Sequence, residues 1–322
     1  MDNIKKLKGL RNSSECLFNG DPKIKCNSQG KFNNEKNHII SKSSYLERIA
    51  DNKQVMVFAW EEPDYYKNNG ELQKRNIKNA NTYRVFCGEH DKMLFNEIEN
   101  NKQFDENNSK QLFQFALRAF SFEYAHNSYK RYFDNLVPEH FNRVAEAHFI
   151  CDTRHMSEFK HLYETENWCG VEHTLIKLRM KIDFISCFSL RPIWDINRMY
   201  ILSTHKVAVN VFPEKDCTII LLSRLAKKSC AIEKYCNNLF KTAIKNEAKF
   251  IEYMNKFIIS SDMNIAIRPK LWESFSKTER EHFYECALFL RKNNSNILNL
   301  FFKALKYNFY SCKINLFNVS LK

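Results

Sequence analysis

The chain has 322 residues, a formal net charge of +13, 44% hydrophobic and 14% aromatic side chains. That apolar and aromatic content excludes a disordered chain, and no apolar run reaches the roughly 18 residues needed to span a bilayer. The length suits two domains, or one large one with an appendage.

The N-terminus, "MDNIKKLKGLRN", is basic but lacks the apolar stretch and small-residue cleavage site of a signal peptide. The sequence therefore predicts a cytoplasmic protein with no membrane partner. Eleven cysteines are spread over the chain. An odd number cannot pair completely within one chain, and without an export signal most are expected to be buried free thiols, a few of them metal ligands. The charge is uneven. Residues 1–100 carry 17 basic and 14 acidic side chains, residues 101–223 carry 15 and 15, and residues 224–322 carry 18 and 8. The basic excess belongs to the C-terminal third, and a basic segment suggests a polyanionic partner, most commonly nucleic acid.

In chain order, "NGDPKIKCNSQGKFNNEKN" and "EEPDYYKNNGELQKRN" read as loops. Between them "SYLERIA" reads as a short helix with Ser44 and Glu47 at capping-box spacing, and "QVMVFAW" as a strand. After the polar linker "NNKQFDENNSK", Leu112, Phe115, Ala116, Ala119 and Phe120 mark one buried face of a helix running to about Phe133. Pro138 can open a second helix at its first turn. "GVEHTLIKLRMKID" reads as a third. The period then changes: "FISCFSL", "KVAVNVF" and "CTIILLS" are strand-like, and "PEKD" between the last two makes residues 206–223 a β-hairpin, with Glu214 stabilising its turn. Helical patterning returns near Ser229, and Ser276 with Glu279 forms another capping box. The aromatic and basic mixtures "FYECALFLRK" and "FFKALKYNFYSCK" fit core faces with solvated rims better than base-stacking platforms.

The sharpest chemical signal is "FCGEHDKMLF", in which Cys87 and His90 open a helix. A Cys-x-x-His turn aims both side chains at one point and supplies half of a tetrahedral zinc site. Cys16 and Cys26, in the upstream loop, are the expected other half. His38, opening "HIISKSSYL", is a further candidate ligand that could replace Cys16 or Cys26. Elsewhere His140, His148, His155 and His161 crowd one helical region without one-turn metal spacing, and read as surface or packing residues. Asp183, Asp195 and His205 lie close enough in sequence to suggest a hydrolytic site, but nothing in the spacing fixes their geometry. Cys230 and Cys236 read as core thiols.

The order of a ligand pair, a histidine followed by "IISKS", and a second ligand pair starting a helix resembles the HNH (ββα-metal, treble-clef) nucleases over roughly residues 13–100. The resemblance implies His38 as the general base that activates water, Asp91 beside a catalytic Mg²⁺ or Mn²⁺, and a structural Zn²⁺. This sequence departs from the family by placing Asn37 before His38 and by offering only Asn79 or Asn81 for the middle asparagine. The segments "HIISKSSYLERIADNKQVMVF", "FCGEHDKMLFNEIE", "FALRAFSFEYAH" and "VNVFPEKDCTIILLS" are also similar to an uncharacterised bacterial protein family with a Cys/His head, a helical middle and an Asn-x-Phe-Pro-Glu hairpin.

Together these readings predict an α+β protein. A small zinc-bound head spans 1–103. A mostly helical body spans 104–322, with a small antiparallel sheet and a basic C-terminal third. Three functions follow. In the first, a zinc-stabilised protein binds nucleic acid, one setting for it being a bacterial defence system. In the second, an HNH-like nuclease uses His38 and Asp91. In the third, a protein-interaction subunit meets an acidic protein partner.

Overall fold

The computed structural model describes residues 16–26, 36–58, 71–136, 143–192, 195–197, 201, 203, 205–226, 229–260, 264–289 and 315–317. Among them are nine strands, which we number β1 (Asn37–His38), β2 (Gln54–Phe58), β3 (Leu72–Asn76), β4 (Thr82–Tyr83), β5 (Val171–Leu178), β6 (Phe184–Leu190), β7 (Val207–Pro213), β8 (Thr218–Leu225) and β9 (Ile265–Ile267). The eight α-helices are α1 (Glu47–Ile49, preceded by a π-helical turn at Lys42–Leu46), α2 (Gly88–Leu94), α3 (Ser109–Leu136), α4 (Arg143–Glu164), α5 (Cys230–Lys245), α6 (Glu247–Ser260), α7 (Pro269–Ser274) and α8 (Lys277–Phe289).

The class is α+β, as expected, but the sheet is not small. Seven strands form one antiparallel sheet in the order β3-β2-β9-β6-β7-β8-β5. The boundary drawn near residue 103 falls between α2 and α3, and strands from both sides of it share this sheet. A separate two-stranded ladder joins β1 to β4, with His38 opposite Thr82.

Side-chain alternation along the strands divides the core into two. On one face Ala208 and Phe212 of β7, and Ile219 and Leu221 of β8, meet α3, α4 and the N-terminal segments. On the other, Val207, Val209, Val211, Ile220 and Leu222 meet α5, α6, α7 and α8. A sheet covered on both sides reads as continuous apolar sequence, which is why "TIILLS" shows no alternation. The helix α3 runs longer than its one-face pattern suggested and is buried almost all round in its first half, with Phe113, Phe115, Leu117, Phe120 and Phe122 enclosed. Phe115 stacks on Phe212 at 5.2 Å. Asn210, the polar residue on that face of β7, donates its amide to the Phe115 carbonyl (3.4 Å) and so satisfies a group that would otherwise be costly to bury.

Several local expectations change. "GVEHTLIKL" is the edge strand β5, paired along its length to β8. Sheet pairing overrides the helical propensity of a segment whose apolar residues fit either period. Gly170 before it packs closely on α4: a Cβ there would run into the Leu162 side chain, which would have to shift. The tail of the second loop, "LQKRN", is β3. The cap of the first helical turn is Ser41, whose Oγ accepts from Ser44 N–H (3.2 Å), while Ser44 itself donates to the Ile98 carbonyl. Glu214 sends its carboxylate to Arg48 (3.1 Å) rather than into its own turn. The 206–223 hairpin, the helix from Ser229 and the Ser276–Glu279 box are found as read. Pro138 and "FFKALKYNFYSCK" lie outside the described residues.

Candidate metal centre

The loop carrying Cys16 and Cys26 is held against the segment that enters α2. Leu17 N–H donates to the Val85 carbonyl (2.9 Å), and Asn37 Oδ1 accepts from both Val85 N–H (3.0 Å) and Phe86 N–H (2.8 Å). Gly20, at φ 88°, allows the left-handed step that turns this loop back. Phe86, fully buried, packs edge-on against Phe95 (5.2 Å) and Phe122 (6.1 Å), which fixes where Cys87 begins the helix. Phe18 meets Tyr163 of α4 edge-on at 5.6 Å.

These contacts bring the three sulfurs of Cys16, Cys26 and Cys87 and one nitrogen of His90 within 4.8 Å of one another. The imidazole Nδ1 lies 3.0 Å from Cys87 Sγ and 3.4 Å from Cys16 Sγ, and Cys87 N–H donates to Cys16 Sγ (3.3 Å). A tetrahedral zinc ion with three thiolates and one imidazole sets donor–donor edges of roughly 3.5–3.8 Å. The observed spacings, from 3.0 Å up to the 4.8 Å limit, bracket those edges, so the group is consistent with such a site. With no cation present, burial pushes the Cys16 thiol up to about 12 and raises Cys87 as well, while burial holds His90 below its usual value. A bound cation inverts this, because its charge stabilises thiolate and neutral imidazole together.

Of the other candidates, His38 stands outside this group. Its Nε2 lies 2.9 Å from the Ile77 carbonyl oxygen. A carbonyl only accepts, so Nε2 carries the proton and Nδ1 is the basic nitrogen. Burial lowers its pKa, and the nearby Arg118 charge adds to the effect. Asp91 Oδ1 is 3.9 Å from the Arg118 guanidinium. Asn81 is buried at a left-handed φ of 47°, and its amide has no hydrogen-bond partner among the described residues, whereas Asn79 is exposed. Asp183 pairs with Arg268 (2.9 Å), Asp195 accepts from Asn238 (3.1 Å), and His205 meets His155 (2.8 Å), so each of these three has a different partner. Cys236 is a core thiol as expected, but Cys230 is exposed. His161 is exposed, and the surroundings of the His140 and His148 side chains lie outside the described residues.

Two buried ionic clusters were not legible in the sequence. Arg118 of α3, 2% exposed, bonds Glu99 (2.5 Å) and sits over the Phe95 ring at 4.2 Å. At one end of the sheet, Lys206 bridges Asp152 (3.0 Å) and Glu123 (3.4 Å), Arg191 also pairs with Asp152, and the His155–His205 contact lies beside them. His155, His205 and Lys206 line a narrow cleft with Arg224 and Ser229. The members of this second cluster come from four separate stretches of chain, and no local motif announces them.

Among the described residues no helix is long and apolar enough to cross a membrane. No family model, no curated protein and no solved structure matches the chain, and the part of the bacterial-family resemblance that the structure supports is the Cys₃His group.

Proposed function

We propose that this chain is a zinc-stabilised nucleic-acid-binding protein, in which Cys16, Cys26, Cys87 and His90 hold a structural Zn²⁺ that clips the early loop to α2. The observation that carries the zinc reading is the convergence of four soft or borderline donors at one largely buried point. The nucleic-acid reading is supported by charge. Residues 224–322 carry ten more basic than acidic side chains. On α5, Lys234, Lys241 and Lys245 are exposed at spacings of seven and four, which align them in one stripe. Exposed Phe240 and Ile244 flank that stripe and offer an apolar surface beside the cations.

The test joins metal analysis to binding. The purified protein should carry one zinc per chain, and its affinity for DNA or RNA of arbitrary sequence should fall steeply from 50 to 200 mM salt. Replacing the three lysines by alanine should weaken binding across all sequences and reduce the salt slope by about 2–3. Binding that ignores salt, or none at 50 mM, would favour the acidic protein partner instead. The HNH-like nuclease reading makes a different demand: cleavage with Mg²⁺ or Mn²⁺ that His38→Ala abolishes while zinc content is unchanged. The bond from His38 Nε2–H to Ile77 favours a packing role for this residue and hence the binding reading.

A further inference from the structure

The zinc reading leaves one buried carboxylate unexplained. Asp21 lies in the same loop as Cys16 and Cys26, five residues after the first, and its side chain is 2% exposed. One oxygen, Oδ1, accepts from Lys23 N–H at 2.8 Å and closes a local turn. The other, Oδ2, is 3.9 Å from Nε2 of His90, whose side chain is 0% exposed. Neither Oδ2 nor Nε2 has a hydrogen-bond partner among the described residues. A buried carboxylate oxygen and a buried imidazole nitrogen, each unsatisfied and facing the other, are costly unless they act as a pair.

The ring has a sense of direction. Nδ1 faces the sulfurs of Cys87 and Cys16, so it is the nitrogen that must offer its lone pair to a metal. The proton then belongs on Nε2, the nitrogen that faces Asp21. We infer that Asp21 is the positioning residue of the metal centre: when a bound metal closes the 3.9 Å gap to hydrogen-bond distance, Asp21 Oδ2 accepts from His90 Nε2–H, fixes the ring orientation and tautomer, and makes Nδ1 a stronger ligand. Carboxylates that hold a ligating histidine in this way change metal affinity by about 10–100-fold. This inference rests on the zinc reading above.

Two substitutions separate positioning from mere folding. Asp21→Asn keeps an oxygen for Lys23 N–H but presents its amide N–H₂ to Nε2–H, donor against donor. Asp21→Ser keeps a short acceptor for the turn and removes the second oxygen altogether. The measurement is zinc affinity of the full chain by competition with a chromophoric chelator, with the absorption spectrum of the Co²⁺-loaded protein as a second readout. Wild type should bind most tightly, Asp21→Ser about 10-fold more weakly, and Asp21→Asn weakest, with the cobalt bands displaced in both. A role confined to the turn predicts the two variants in the opposite order, both below wild type, because Asn preserves the turn best. Zinc affinity for Asp21→Asn within twofold of wild type, with unshifted cobalt bands, would overturn the inference and leave the zinc reading standing. A wild-type chain that binds no zinc would remove both.

Discussion

Two buried polar regions of this molecule differ in kind. At the sheet end, Lys206 and Arg191 enter the core together with Asp152 and Glu123. Among the described residues, cations and anions of this cluster are supplied by the same chain and pair with one another. At the N-terminal loop, Cys16, Cys26, Cys87 and His90 each offer one ligand atom to a common point. Lys160, a cation whose charge acts on Cys16 and His90, lies over the Phe18 ring at 5.4 Å, and its own pKa is lowered, by burial above all. Burial alone does not imply a ligand, since ion pairs in a core are often self-sufficient. Three thiols and an imidazole converging at one largely buried point are a ligand set that an outside cation can complete.

The largest expected effect breaks the second region. Cys87→Ser, or prolonged exposure to a strong chelator, should release the metal and unfold the 16–26 and 85–95 segments. The Cys87→Ser chain should show low hydrogen-exchange protection there and a melting temperature lowered by ten degrees or more, since structural zinc contributes on the order of 10 kcal/mol where it organises a small fold. Unchanged protection in a chelated sample would mean that Phe18, Phe86 and Phe95 hold the loop without an ion. A smaller but still large effect breaks the first region. Lys206→Met removes the cation that Glu123 and Asp152 share in a buried cluster, which should cost about 3–5 kcal/mol in urea denaturation. Adding Glu123→Gln to Lys206→Met should recover part of that loss. If the single substitution were neutral, water would have to reach this end of the sheet freely.

Acid sharpens the contrast. Burial, with the neighbouring His205 adding to it, lowers His155 to about 4, and burial alone lowers His173 to about 4. Both histidines are protonated in the unfolded chain below about 6.5 but resist protonation in the fold until about 4. The unfolded state therefore binds more protons in that window, and stability falls as pH drops from about 6.5 to about 4. Each group contributes up to on the order of 3 kcal/mol of this loss. His173→Gln, which can still bond Ser223 as His173 does at 2.8 Å, should flatten the slope relative to wild type. Acid release of any metal held by the Cys16, Cys26, Cys87 and His90 group would be common to both chains and would cancel in the difference. An identical slope in the two would show that His173 takes up its proton without opening the structure.

How much of this was visible beforehand depends on how local each feature is. Cys87 and His90 are three residues apart on one helical turn, and Cys16 and Cys26 share an upstream loop, so the group could be read from spacing and composition. Asp21 could not, because a single aspartate in a polar loop is indistinguishable from its neighbours until the fold places it beside Nε2. The hairpin at 206–223 was legible from two branched runs around a turn. The width of the sheet was not. β9 has only three residues, β3 is hidden in a polar stretch, and β5 carries a pattern equally fit for a helix until β8 pairs with it. His38 was singled out from its motif, yet the role the geometry offers it, donation to a backbone carbonyl, is set by the Ile77 turn on the far side of β3.

The smallest effect compares two serine caps, one in a buried network and one at the surface. Ser276 and Glu279 exchange bonds at the start of α8: Ser276 N–H donates to Glu279 (2.7 Å) and Glu279 N–H donates to Ser276 Oγ (3.2 Å). Water can replace either partner, so Ser276→Ala should cost about 1 kcal/mol. Ser41 has the same local task at the Lys42–Leu46 turn, but its hydroxyl also donates to Glu99 Oε2 (2.7 Å), the carboxylate that faces Arg118. Ser41→Ala therefore removes one of the bonds that hold Glu99 where Arg118 needs it, and the buried guanidinium feels the loss. Denaturation of the two variants should place Ser41→Ala at about 2–3 kcal/mol, clearly above Ser276→Ala. Equal values would mean that the Glu99–Arg118 pair is held by its own geometry and the packing of Phe95, with the serine acting only as a cap.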